Sequence, residues 1–182
     1  MQLYLIRHPK PEIATGTCYG QADIAVNDVH CQSVFEQLQA SLPADIAIFS
    51  SPLQRCKKLA LLLNPESILD SRLMEMHFGK WEMQSWDVIP RSEIDAWAED
   101  VLRYAPGGGE TVIAMAARVI DFLHDLAEKK LPEAALVAHA GSLGLIVAYE
   151  AGMLASELAQ RVAREKKPIQ FGECILHQIK LC

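Results

Sequence analysis

The sequence contains no long apolar run, no paired cysteine motif and no segment typical of an exported protein. Its apolar runs are all far shorter than the roughly 18 residues that a membrane-spanning helix needs. No basic segment precedes the apolar residues at the N-terminus, so we expect no secretory signal. The five cysteines are scattered and form no CxxC pair, which argues against a disulfide framework and a structural zinc site. These absences favour a cytoplasmic protein with free thiols.

The sequence also has no excess of positive charge. Seventeen basic residues stand against 23 acidic ones in the 182-residue chain, which gives a formal net charge of −6. A chain of this charge is not expected to bind nucleic acid or an anionic membrane as its main partner. Any anion that this protein binds must therefore be held by a local cluster of cationic side chains.

Strand-like apolar runs alternate with helical patterns along the chain. The strand-like runs cover residues 3–6, 45–49, 67–70, 134–138 and 173–181, and the helical patterns cover residues 27–42, 53–63, 92–103, 111–130, 141–152 and 155–164. This order predicts an α/β fold, a three-layer α/β/α sandwich with a mostly parallel central sheet. No internal repeat or linker divides the chain, so we expect a single domain over residues 1–182. Residues 71–110 lie outside the sheet pattern and are expected to form a lid that shapes a substrate pocket.

Two local signals predict where helices begin and end. Ser50-Ser51-Pro52 offers a hydroxyl N-cap with proline at the first helical position of the second helix. Pro43 is expected to close the first helix.

Polar side chains stand where three of the strand-like runs end. The first run leads into Arg7-His8, the second into a segment that contains Arg55, and a later one into His139. Ligands of open parallel sheets bind beyond the carboxyl ends of the strands, so these side chains are expected to meet there. An arginine in the first turn of a helix also indicates a bound anion. Taken singly, a strand-end histidine is more often a polar cap, and Arg55 is compatible with an ion pair to an acidic neighbour.

Four segments resemble, in chain order, the motifs of the histidine phosphatase (phosphoglycerate mutase-like) superfamily. They are Leu5-Ile6-Arg7-His8, Ser50-Ser51-Pro52-Leu53-Gln54-Arg55-Cys56, Leu73-Met74-Glu75-Met76-His77-Phe78-Gly79-Lys80-Trp81-Glu82 and Val137-Ala138-His139-Ala140-Gly141. The segments 16–23 and 75–82 look most like the bacterial alpha-ribazole phosphatase branch. The resemblance implies a phosphoglycerate mutase-like fold and a phosphatase that needs no metal or other cofactor.

The resemblance also implies a role for each matched residue. His8 would be the nucleophile and would carry a transient phosphohistidine. Arg7, Arg55 and His139 would hold the phosphoryl oxygens together with His8, with His139 protonated. Glu75 would protonate the leaving alcohol and then take a proton from water. These roles suit the chemistry, because phosphoryl transfer needs positioning, charge neutralisation and an acid for a poor leaving group.

The matched segments leave open which carboxyl is the acid and what effect the residue after the nucleophile has. Glu82 is a rival to Glu75 as the acid, although Glu75 has the better place in the motif. The aromatic side chains at 78, 81 and 86 are expected to raise the pKa of Glu75 by desolvation. The nucleophile is followed by Pro9, where the family commonly has glycine, and proline favours extended geometry at His8.

Other features carry weaker signals. The glycine-rich segment 106–111 lacks the ending of a phosphate loop and is interpreted as a structural connection. His30, His77, His124 and His177 have no metal-ligand spacing.

Three functions remain open from the sequence. The first is a phosphomonoesterase acting on a small phosphorylated molecule, with alpha-ribazole 5′-phosphate as the first candidate substrate. The second is phosphoglycerate mutase-type phosphotransfer, and the third is a non-catalytic protein that binds a phosphorylated ligand. An exposed edge strand near residues 174–181 would permit a homodimer.

Overall fold

The computed structural model describes residues 1–164 and 169–181 and contains one five-stranded sheet. The strands are β1 (Gln2–Arg7), β2 (Ile48–Ser50), β3 (Ile68–Leu69), β4 (Glu133–Ala138) and β5 (Cys174–Gln178). The helices are α1 (Asp28–Gln39), α2 (Gln54–Leu63), α3 (Arg91–Glu99), α4 (Val112–Glu128), α5 (Ala140–Ala148) and α6 (Ala155–Arg164). The strand order is β3-β2-β4-β1-β5; the first four strands are parallel and β5 runs antiparallel to β1. The mostly parallel α/β sheet is the one that the sequence predicts.

Helices cover both faces of the sheet. Alternate strand residues point to opposite faces, so Leu3 and Leu5 pack with α4, α5 and α6, whereas Ile6 packs with α1 and α2. The same alternation occurs in β4. Leu136 packs on the face covered by α4, α5 and α6, and Val137 packs on the face covered by α1 and α2. A sheet covered on both faces explains why its central strands are continuously apolar in sequence. The three-layer sandwich is confirmed.

Some element boundaries differ from the sequence-based expectations. The second strand covers Ile48–Ser50 instead of residues 45–49. Asp45 itself adopts a left-handed backbone conformation with φ 62°, which a strand does not admit. The first helix ends at Gln39, well before Pro43.

The expected hydroxyl N-cap of α2 is wrong. Leu53 occupies the N-cap position and its side chain makes no capping hydrogen bond. The backbone N–H of Gln54 instead donates to the carboxylate of Asp23 at 2.7 Å. A residue distant in sequence therefore accepts a hydrogen bond from the first turn of the helix, which explains why the local pattern did not predict the cap.

Residues 71–110 contain α3 and three short 3₁₀ segments, and they contribute no strand to the sheet of the described chain. The glycine-rich segment packs tightly within this region: a Cβ atom on Gly109 would lie 2.2 Å from the carbonyl oxygen of His77. A Cβ atom on Gly79 would lie 2.3 Å from the carbonyl oxygen of Gly107. Such approaches admit only glycine, so close packing explains these glycines. A lid function for the region stays a prediction.

β5 forms one edge of the sheet, and its Leu176 is exposed. A homodimer through this edge stays a prediction.

The four cysteines within the described residues are free thiols, and Cys182 lies outside them. Across the described ranges, the structure has no helix that is long and apolar enough to span a membrane.

Candidate active site

The ends of β1, β2 and β4 bring the predicted strand-exit residues together. Arg7 is in register with Ala138, the last residue of β4, and the backbone N–H of His8 donates to the Ala138 carbonyl at 3.0 Å. The N–H of Ser51 donates to the Val137 carbonyl at 3.0 Å, which aligns the end of β2 beside them. As a result, the ring centroids of His8 and His139 lie 5.0 Å apart.

His8 is held as a neutral imidazole. Its Nδ1 lies 2.7 Å from the carbonyl oxygen of Pro9, and because a carbonyl can only accept, Nδ1 carries the proton and Nε2 keeps its lone pair. Burial lowers the pKa of His8 to about 3, and the charges of Arg55 and Arg7 act in the same direction. The departure from glycine at position 9 is thus compatible with the nucleophile, since Pro9 still supplies the carbonyl that fixes the tautomer.

His139 occupies the N-cap position of α5 and is almost fully buried. Its Nε2 lies 2.9 Å from Oγ of Ser51 and 3.4 Å from Sγ of Cys56. Burial holds the pKa of His139 well below its ordinary value, and the neighbouring His8 and Arg55 lower it further. These surroundings favour the neutral imidazole. A phosphate dianion bound beside the two rings would favour the protonated form, which stays a prediction.

The two arginines lie at different depths. Arg7 reaches the main cavity; its Nη1 donates to the Ile169 carbonyl at 2.7 Å, and its guanidinium lies 3.8 Å from the ring centroid of Phe171. Arg55 is fully buried, does not line the cavity, and donates from its two Nη groups to the carbonyls of Gly20 and Ala22. Within the described chain, Nε of both arginines is buried without a hydrogen-bond partner.

Glu75 lies against the first turn of α5. Its Oε1 accepts from the N–H of Met76 and its Oε2 from the N–H of Gly141, both at 3.0 Å. A Cβ atom on Gly141 would lie 2.2 Å from Oε1 of Glu75. A side chain at position 141 would therefore displace the carboxyl of Glu75. Glu75, His8, Arg7 and His139 all line the same cavity.

Glu82 has a different environment and does not line the cavity. Its carboxylate accepts four backbone N–H bonds of 2.9–3.0 Å, from Gly20, Gln21, Ala22 and Phe78. Burial by itself would raise the pKa of Glu82, but these four hydrogen bonds outweigh it and hold the pKa below its ordinary value. An ionised, fully bonded carboxylate that joins two loops is a poor proton donor.

The cavity has a volume of about 610 Å³ and a largely apolar wall. Its apolar lining residues are Met76, Phe78, Trp86, Val112, Met115, Leu145 and Val162. Trp81 does not reach it, because this side chain is buried beneath the region and donates through Nε1 to Glu93 at 2.7 Å. Among the lining residues that the structure describes, Arg7 is the one permanent cation.

Sequence reasoning missed Arg118, Gly141 and Ser51 as parts of this site. Arg118 lies in α4 between buried apolar residues such as Met115 and Phe122. A basic residue on the apolar face of a helix is a signal that was present in the sequence. Ser51 carries no such signal, since only the tertiary structure shows its contact with His139.

In residues 1–164 and 169–181, no group of three or more His, Cys, Asp or Glu side chains is arranged to hold a metal ion.

The buried histidines predict a pH dependence of stability. The pKa of His8 is near 6.5 in an unfolded chain and about 3 in the fold, so below pH 6.5 protons bind preferentially to the unfolded state. Stability is therefore lost as the pH falls from about 6.5 towards 3, and His8 alone contributes a loss of about 2 kcal/mol at pH 5. Urea unfolding at pH 7 and pH 5, in buffer without phosphate, measures this loss.

His8→Gln is the matched control for this measurement. It removes one titrating imidazole and leaves the carboxylates in place, so its loss of stability between pH 7 and pH 5 should be smaller. An equal loss in the two proteins contradicts the assignment.

Known proteins are similar to this chain in both sequence and fold. Residues 3–164 match the histidine phosphatase superfamily (branch 1). The chain is 30% identical over 172 residues to glucosyl-3-phosphoglycerate phosphatase of Mycolicibacterium vanbaalenii, covering 84% of this chain and 75% of that protein. It is 29% identical over 170 residues to adenosylcobalamin/alpha-ribazole phosphatase of Salmonella typhimurium, covering 87% and 83%.

A solved structure gives the same result. The alpha-ribazole phosphatase of Shigella flexneri superposes with a TM-score of 0.79 at 25% identity, covering 97% of this chain and 89% of that one. The phosphoglycerate mutase-like fold and the resemblance to the alpha-ribazole phosphatase branch are thus confirmed. The chain belongs to branch 1 of the histidine phosphatase superfamily, and it is a phosphatase enzyme.

Proposed function

We propose that this protein is a metal-independent phosphomonoesterase that works through a phosphohistidine on His8. The observation that carries the proposal is the state of His8: a neutral imidazole with Nδ1–H held by the Pro9 carbonyl and Nε2 left as the nucleophile. His8 lines a cavity that also contains Arg7, Glu75 and His139.

The reaction has two steps, transfer of the phosphoryl group to His8 and its hydrolysis by water. The Nε2 lone pair of His8 attacks phosphorus, the bond from phosphorus to the ester oxygen breaks, and a protonated Glu75 gives its proton to the departing alcohol. Water then attacks the phosphohistidine, the phosphorus–nitrogen bond breaks, and the Glu75 carboxylate takes the proton from water. Inorganic phosphate leaves, and both side chains return to their starting states.

Charge on the transferred group is offset by Arg7, Arg55 and His139. Arg7, which lines the cavity, keeps a buried Nε–H with no partner in the described chain, and a phosphoryl oxygen is a fitting acceptor for such a donor. The rings of His8 and His139 are in contact, with centroids 5.0 Å apart, so both lie beside the same phosphoryl group. Arg55 is fully buried and does not line the cavity, so it acts through its positive charge.

Alpha-ribazole 5′-phosphate is the substrate that we propose. Its flat heteroaromatic base suits a wall that includes Phe78, Trp86 and Met115. The relatives from Salmonella typhimurium and Shigella flexneri carry the name of this activity. A phosphoglycerate substrate would call for further cations around its carboxylate, whereas the described lining offers Arg7 alone.

Release of inorganic phosphate in the presence of a chelator tests the proposal. The panel contains alpha-ribazole 5′-phosphate, 3-phosphoglycerate, a nucleoside monophosphate, a sugar phosphate and 4-nitrophenyl phosphate. We expect release that survives chelation and favours alpha-ribazole 5′-phosphate. Preference for another ester overturns the substrate, and no release from any ester by folded protein overturns the hydrolase in favour of phosphotransfer or simple binding.

A further inference from the structure

We infer that Arg118, paired with Glu110, is a positioning residue that holds Glu75 in place for proton transfer. The inference rests on the proposed function, because it assigns to Arg118 the placement of the acid of that reaction. Arg118 does not line the cavity, so it acts through Glu75 rather than on the substrate.

Arg118 uses its entire guanidinium to fix the chain that leads to Glu75. Nη1 donates to the carbonyls of Arg72 and Met74 at 2.6 and 2.8 Å, and Nη2 donates to the carbonyl of Glu75 itself at 3.1 Å. The remaining two bonds go to the Glu110 carboxylate, from Nε at 2.7 Å and from Nη2 at 2.9 Å. All five N–H donors of the side chain are thereby satisfied.

Glu110 extends this arrangement to the other side of Glu75. Its backbone N–H donates to the His77 carbonyl at 2.8 Å, and its carboxylate lies 3.4 Å from the N–H of His77. The Arg118–Glu110 pair therefore fixes backbone groups both before and after Glu75. The two side chains are only 17% and 15% exposed, so solvent competes little for these bonds.

The chain around Glu75 needs such support. Residues 74–78 belong to no helix or strand, so no regular backbone hydrogen bonding fixes their position. Arg118 lies in the middle of α4, whose Met115, Val119 and Phe122 are buried in the core. The guanidinium thus transfers the rigidity of a packed helix to an irregular segment that carries the acid. Lysine could not do this, because three carbonyls and a carboxylate require the planar fork of arginine.

The inference predicts an effect that depends on the leaving group. An alkoxide must be protonated as it leaves, whereas 4-nitrophenolate is stable as an anion and needs little help from an acid. Displacing the carboxyl of Glu75 should therefore slow an alkyl ester far more than 4-nitrophenyl phosphate. A purely structural loss would lower both rates by the same factor.

The experiment compares kcat/KM for phenethyl phosphate and 4-nitrophenyl phosphate in the wild type and in Arg118→Met. We expect the ratio of the alkyl to the aryl ester to fall by about 10²-fold in Arg118→Met, since a misplacement of about 1 Å has a cost of that size. Arg118→Lys should restore only a small part of the ratio. Arg91→Met is the matched control: it removes an arginine–carboxylate pair, to Asp95, that lies outside the chain around Glu75, and it should leave the ratio unchanged.

Two further variants separate the possible failures. If Arg118→Met does not fold, Glu110→Gln carries the test, because it weakens the same pair and should shift the ratio in the same direction by a smaller factor. If Glu75→Gln lowers the ratio and Arg118→Met does not, the positioning role is overturned and the proposed function stands. If Glu75→Gln itself leaves the ratio unchanged, the acid of the proposed function is overturned together with this inference.

Discussion

Replacing His8 with alanine should abolish phosphate release and leave a folded protein. The imidazole supplies the attacking lone pair, and no other side chain of the described cavity combines a free ring nitrogen with this location between Arg7 and His139. Within the described chain, the side chain makes one hydrogen bond, to the neighbouring Pro9 carbonyl. It belongs to neither of the two hydrophobic clusters that cover the faces of the sheet, so the core keeps its packing without it. Phosphate release, circular dichroism and thermal unfolding measure the two parts of this prediction.

A second readout makes the His8 prediction specific. Wild-type enzyme mixed with radiolabelled substrate and quenched in alkali should retain label on the protein, and His8→Ala should retain none. His124→Ala is the control, because His124 is an exposed histidine of α4. Turnover by His8→Ala near the wild-type rate would show that another residue is the nucleophile.

Replacing Glu75 with glutamine gives the second large effect. The amide keeps the shape of the side chain but cannot supply a proton, so kcat/KM for an alkyl ester such as phenethyl phosphate should fall by about 10²–10⁴-fold. The loss for 4-nitrophenyl phosphate should be much smaller. Steady-state kinetics with both esters measure the two losses.

Glu82→Gln is the matched control for Glu75→Gln, since it makes the same chemical change in the same part of the chain. Glu82 accepts four backbone hydrogen bonds and does not line the cavity. Its replacement should lower the melting temperature, because an amide cannot accept all of these bonds, and should leave the ratio between the two esters unchanged. If Glu82→Gln changes that ratio and Glu75→Gln does not, Glu82 is the acid.

Much of the site was accessible from local sequence patterns. Arg7, His8 and His139 each follow a short apolar run, and the convergence of parallel strand ends is a general property of open sheets. That property is enough to predict that residues more than 130 positions apart would meet, as the contact between the His8 and His139 rings shows. The motif around Glu75 likewise indicated a residue that lines the same cavity.

Other features depended on contacts that no local pattern encodes. Burial in the fold lowers the pKa of His139, and this effect depends on the distant residues that surround the ring. Arg55 lies behind the cavity, because the carbonyls of Gly20 and Ala22 hold its guanidinium there. The backbone N–H of Gln54 at the start of α2 donates to Asp23, which lies 31 positions earlier in the chain.

The sequence by itself determined the alternation of strands and helices, the family and the set of reactive residue types. These follow from short-range periodicity and from motifs whose members lie within a few residues of one another. The tertiary structure alone decided the burial that lowers the pKa values of His8 and His139, the depth of Arg55, the four hydrogen bonds on Glu82 and the hydrogen bonds of Arg118 to the chain before Glu75. The physical reason is that desolvation and hydrogen-bond satisfaction depend on which distant groups surround an atom, and that is fixed only when the chain is packed.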